Sequence, residues 1–240
     1  MRKRRFAAAG VAGLVAAAGA VAVRARSHHP ALHLECQPGL TTPGIDVSYY
    51  QQTIDWPRVQ SAGIGFAFIR LSDGATQRDA MFATNWAEAR RAGVVRGAYQ
   101  YFRPDQSVAA QADLMIAAMR SRGRDDLPPV IDIEADAGLG AAEVAERAAD
   151  WVARVRAALG VEPIVYTGSD LWRNRGADRL GAQPLWIAHY TQGCPSLPSA
   201  WSRWTFWQHT NHGAVPGIDG EVDLDRFAGT PDELAMVRRR

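Results

Sequence analysis

From Pro43 onward, short runs of β-branched and aromatic residues alternate with segments of helical periodicity, the signature of β/α units around a parallel sheet. The runs predict strands at 44–48, 64–70, 94–102, 129–134, 163–167, 184–190, 204–209 and 221–225, with helices at about 55–62, 79–92, 107–122, 140–159 and, more briefly, 169–175. In the fourth helix Val144, Trp151, Val152, Val155 and Leu159 recur at helical spacing opposite Arg and Glu, a one-sided face suited to packing on a sheet. The last strands are joined by loops too short for full helices. The expected fold is therefore α/β: an irregular TIM-like (β/α) barrel of eight strands and about five helices, its last strands lacking outer helices.

The first residues stand apart. "MRKRRF" is a positive n-region, Phe6 to Val23 is an Ala/Gly/Val run, and "RARS" closes it, the pattern of an export signal. The run is 18 residues long, so the segment is either cleaved, with Ala20-Val21-Ala22 offering a small-residue site, or kept as a membrane anchor. Residues 1–26 hold six of the 27 Lys+Arg and no acid, leaving 21 basic against 25 acidic groups in the rest. The basic balance belongs to the leader, and no basic stripe with interleaved aromatics follows, so no nucleic-acid partner is expected. The expected organisation is 1–26 leader or anchor, 27–43 linker, 44–230 barrel and 231–240 tail. The product is exported, with the membrane touched only through an uncleaved N-terminus, and monomeric. In an oxidising compartment Cys36 and Cys194 could pair as a disulfide or stay as two free thiols.

The stretch "PPVIDIEAD", 128–136, sets Asp132, Glu134 and Asp136 at alternate positions among Val130, Ile131 and Ile133. An unpaired buried carboxylate is among the costliest groups to place in a core. Residues two apart on a strand point to one side, so Asp132 and Glu134 share the barrel's inward face, whereas Asp136 lies past the strand end as a loop residue or cap. Asp46 in "GIDVS" and Asp223 in "EVDLD" occupy similar places. The first and eighth strands of a closed barrel are neighbours, so these two should lie side by side across a mouth from Asp132 and Glu134. Convergent acids raise one another's pKa, keeping one protonated while others stay charged. Glycoside hydrolysis needs that combination, an acid for the leaving oxygen and carboxylates facing an oxocarbenium-like centre. Tyr99, Tyr101, Phe102, Tyr166, Trp186, Tyr190 and Trp207 add aromatic faces suited to sugar rings. No nucleophile elbow, zincin helix, phosphate loop or Cys/His cluster is present, and no cofactor or metal is expected. A divalent cation held by the four acids is the rival chemistry. "HTNH" at 209–212 reads as a polar turn, and His28, His29 and His33 as linker residues.

In order along the chain, "GIDVSYYQQTIDWPRVQSAGIGFAFIRLSDG", "GAYQYFRP", "PPVIDIE", "PIVYTG", "PLWIAHY", "WTFWQHT" and "VPGIDGEVDLDRF" resemble the glycoside hydrolase family 25 lysozymes, the Chalaropsis-type muramidases, over about 44–228. The resemblance implies cleavage of the β-1,4 bond between N-acetylmuramic acid and N-acetylglucosamine in peptidoglycan glycan strands. It implies retention of configuration, with Glu134 as general acid/base, Asp132 as its companion, and Asp46 and Asp223 as further pocket acids. It also implies substrate contacts from Tyr99, Tyr101, Tyr166, Trp186 and Gln208. Arg70 and Asp73 follow the second strand where the family commonly has a basic residue and Glu, and Asp225 stands where Asn is often seen. A non-catalytic sugar-binding module and a chitinase-like glycosidase on the same barrel are the alternatives.

Overall fold

A computed structural model describes residues 32–37, 39–121, 123, 125–172 and 177–237. The expected leader at 1–26, with His28 and His29, lies outside them. The chain enters as a two-residue strand, β1 (His33–Leu34), followed by β2 (Thr42–Val47), so the expected linker already carries one short strand and the start of another. Next come β3 (Phe66–Asp73), the short β4 (Gln77–Arg78), β5 (Val95–Tyr101), β6 (Val130–Ile133), β7 (Ile164–Gly168) and β8 (Leu185–Ala188). The two-residue β9 (Ser196–Leu197), β10 (Phe206–Gly213) and β11 (Val222–Phe227) complete the strands.

Eight of these close a barrel in the order β2, β3, β5, β6, β7, β8, β10, β11 and back to β2. Every neighbouring pair is parallel except those of β11, which runs antiparallel to both β10 and β2. β10 extends to Gly213, so "HTNH" is strand rather than turn, with His209 in the β10 pleat. Its ring is pushed down to about 4 by burial and by the nearby charge of Arg226.

Outside the barrel lie α1 (Trp56–Ser61), α2 (Phe82–Arg91), α3 (Val108–Met119) and α4 (Ala141–Leu159). The Asp55 carboxylate caps α1 by accepting from Arg58 N–H, and Gly160 ends α4 in the left-handed conformation a side chain would resist. Of the apolar face foreseen on α4, Val144, Trp151, Val152 and Val155 are buried and Leu159 partly so, and Trp151 reaches from it to donate to Gln100 Oε1 at 2.8 Å on the outer side of β5. The short helix expected near 169–175 is turn through Trp172, with 173–176 outside the described residues and a 3-10 turn at Ala177–Leu180. A fifth helix instead follows the barrel, α5 (Pro231–Val237), where a tail was expected.

Alternation along the strands sorts the barrel into an outer apolar shell and an inner column. Phe66, Phe68, Val130, Ile164, Phe206 and Phe227 fill that column, with Leu234 of α5 packed into the same cluster. Phe68 stacks on Trp186 at 4.3 Å and meets Phe206 edge-on at 5.0 Å. This aromatic plug makes the barrel a packed core with one open end.

Candidate active site

The open end is a mouth of about 460 Å³ lined by Asp46, Asp132, Glu134 and Asp223 together with Tyr99, Tyr101, Tyr166, Trp186, Gln208 and Arg70. The four acids, the five predicted substrate contacts and Arg70 therefore reach one cavity, whereas Phe102 and Trp207, read as sugar-facing aromatics, are buried in the apolar cluster with Trp151. Asp132 is the last but one residue of β6, which ends at Ile133, and Glu134 stands just beyond it. Asp46 and Asp223 are register partners across β2 and β11. The reversed direction of β11 matters here. Asp223 lies at the start of its strand, and only an antiparallel strand brings its start to the end of the barrel where the parallel strands finish.

Depth separates the acids. Asp46 and Asp132 are buried, whereas Glu134 is exposed at the rim and Asp223 is intermediate. Burial, then the charges of Asp225 and Asp223, hold Asp46 well above the ordinary carboxylate range, and Gln208 Nε2 donates to it at 2.7 Å. Burial and the adjacent Glu134 likewise push Asp132 well up, and its buried Oδ1 has no hydrogen-bond partner among the described residues. Glu134 is raised by partial desolvation, with the hydrogen bond from Asp132 pulling it back. Asp223 is pushed up to about 6, again by desolvation first, against the opposing hydrogen bond from Asp46. The acids titrate together and retain protons that isolated carboxyls would have lost.

The neutral groups are equally ordered. Gln208 Oε1 accepts from Tyr166 at 2.8 Å and Tyr190 at 3.0 Å while its amide donates to Asp46, so three bonds fix its orientation. Arg70 lies in the wall, but its Nε is committed to Asp79 at 3.1 Å and its guanidinium lies against the Tyr49 and Tyr50 rings. Asp73 makes a two-toothed ion pair with Arg103, which covers the Tyr101 ring. Among the described residues no three His, Cys, Asp or Glu side chains have an arrangement able to hold a metal ion.

The sequence profile of the glycosyl hydrolases family 25 matches residues 45–218. The chain belongs to this family. Lysozyme M1 of Streptomyces globisporus is 36% identical over 206 residues, covering 81% of this chain and 70% of that one. The bacterial lysozyme from Streptomyces coelicolor superimposes with a TM-score of 0.77 at 33% identity, covering 85% of this chain and 99% of that one. A family 25 glycosyl hydrolase from Bacillus anthracis gives 0.74 at 28% identity, covering 88% and 98%. The protein is thus a glycoside hydrolase, and its irregular barrel is the one its family uses.

Within this family 25 hydrolase, one acid was missed as a site residue. Asp225 is 1% exposed, two residues from Asp223 on the inner face of β11, and accepts from Trp186 Nε1 at 2.8 Å. Burial holds it well above the ordinary carboxylate range. Its Oδ2 is buried without a hydrogen-bond partner among the described residues. The spacing that flagged "DIE" is repeated in "DLD", so the signal was present. Tyr50, Arg103 and Asn211 also line the mouth; Tyr50 sits in a 3-10 turn and Arg103 in a loop, neither of which carries periodicity, and Asn211 is in the part of β10 that the sequence read as a turn.

Proposed function

We propose that this hydrolase is a retaining muramidase that cleaves the β-1,4 bond between N-acetylmuramic acid and N-acetylglucosamine in peptidoglycan. The observation that carries the reading is the split of one acid cluster into a rim carboxyl, Glu134, and sealed carboxyls beneath it. Glu134 stands where a glycosidic oxygen lying in the mouth can reach it, and its raised pKa keeps a proton available nearer neutrality. Glu134 protonates the leaving oxygen and then, as carboxylate, takes a proton from the attacking water. Asp132, which lines the mouth beside Glu134, accepts from the N–H of the substrate's 2-acetamido group and so orients its carbonyl oxygen toward the anomeric carbon. Asp223, pushed up to about 6 and so charged at neutral pH, holds negative potential beneath the oxocarbenium-like centre, while Asp46 keeps its proton under it. Tyr50, 68% exposed, and Tyr190, 52% exposed, offer aromatic faces to sugar rings at the rim.

Action on a wall polymer fits the export segment read at residues 1–26, and we place the enzyme outside the cytoplasm, secreted or tethered by that segment. Glu134→Gln removes the proton without changing side-chain size. Release of reducing ends from purified peptidoglycan should fall by about 10²- to 10⁴-fold with the melting temperature held. Undiminished release from that variant would refute the role of Glu134.

A further inference from the structure

Beside the mouth lies a second compartment of about 740 Å³, and Glu134, Tyr166 and Tyr190 line both. Its far wall is not made by the barrel. It is the segment Leu32–Cys36, whose Leu32 and Leu34 alternate along an extended chain and face the compartment together. This strap is fastened repeatedly. His33–Leu34 pair antiparallel with Ser196–Leu197, Glu35 N–H donates to Pro195 O at 3.0 Å, and Cys36 is disulfide-bonded to Cys194. Gln37 Nε2 donates to Trp204 O at 2.7 Å just behind it. Yet Leu34 is 71% exposed, so these fastenings hold an aliphatic side chain in place without burying it.

The lining differs from that of the mouth. Besides the shared Glu134, Tyr166 and Tyr190 and the polar Ser169 and Asp170, this compartment has aliphatic surface from Leu32, Leu34, Leu171 and Ala188, whereas the residues peculiar to the mouth are mostly acids, aromatics and other polar side chains. His189 also lines the compartment, and its Nδ1 accepts at 2.8 Å from the N–H of Ser196, the register partner of Leu34. That bond places the ring proton on Nε2 and leaves a donor for a carbonyl oxygen. Aliphatic contacts with a carbonyl-directed donor suit alanine side chains and peptide amides better than sugar rings.

Resting on the muramidase reading, we propose that this compartment binds the stem peptide carried on the lactyl group of muramic acid. The glycan backbone occupies the acid mouth, and the branch beside Glu134 turns into the space walled by the strap. The disulfide is then a device for substrate selection, because it fixes the wall relative to Tyr190.

The test compares kcat/KM on purified peptidoglycan with its stems and on the same glycan stripped of stems by an amidase, for the wild type, Leu34→Asp and the Cys36→Ser/Cys194→Ser double variant. The wild type should favour the stem-bearing substrate by roughly five- to tenfold, a preference of about 1 kcal/mol or slightly more, and both variants should bring the ratio close to one. Leu34 is exposed, so its variant keeps the fold even where loss of the disulfide does not. A wild-type ratio near one, or a ratio the variants do not move, overturns the inference. Failure to release reducing ends from either substrate instead overturns the muramidase reading on which it rests.

Discussion

Asp225 shows at single-residue scale how the barrel keeps acids in its interior. Its Oδ1 is held by Trp186 and its carboxyl is hydrogen-bonded with that of Asp46, a contact that needs one proton between the two acids. The sign of its effect on stability follows from its raised pKa. Between the ordinary value near 4 and that higher one, the folded chain binds more protons than the unfolded chain, so stability falls as pH rises. Asp225→Asn keeps an acceptor for Trp186 and removes the titration. Its melting temperature should match the wild type near pH 4 and exceed it by about 2–4 °C by pH 8, the shift expected for roughly 1 kcal/mol in a chain of this size. A difference that stays constant with pH would contradict the assignment. The four acids of the mouth were legible in the sequence because each interrupts an apolar run. Asp225 was passed over because it was weighed as a departure from a family pattern rather than by its place two residues from Asp223. The commitment of Arg70 to Asp79 was beyond reach, since that partner lies on the turn before α2, where nothing in the sequence fixes its direction.

At the scale of elements, strand spacing identified all eight barrel strands to within a few residues, yet it carries no direction. A two-residue period reads the same for parallel and antiparallel pairing. The reversal of β11 comes from the loop 214–221, too short for a crossover helix, and it brings Asp223 to the mouth. α5 was missed because a seven-residue helix with one fully buried side chain, Leu234, shows no repeating face. Closure of the sheet also constrains β2. A Cβ on Gly44 would come within 2.2 Å of the Phe66 ring, whose position is fixed by Phe68 and Phe206. Gly44→Ala should therefore cost about 1–3 kcal/mol of folding stability, as overpacking does, seen as a lower denaturation midpoint in urea. An unchanged midpoint would mean that the aromatic plug can yield.

On the scale of the whole molecule, two parts divide the work. The barrel, plugged by aromatics at one end, concentrates carboxyls at the other, and the N-terminal strap crosses 158 residues of sequence to wall the adjoining space. The barrel was legible because its pattern repeats eight times. The strap was legible only as two cysteines in an oxidising compartment, since "SHHPALHLECQPGLTTP" has the composition of a linker and its order comes from contacts far away in sequence. The central claim is that this mouth cuts the glycan on the muramic acid side. Purified peptidoglycan digested to completion, reduced with borohydride and analysed by mass spectrometry tests it most directly. The account predicts products ending in reduced N-acetylmuramic acid, absent from a parallel digest with Glu134→Gln. Products ending in reduced N-acetylglucosamine, or no new reduced ends at all, would contradict it.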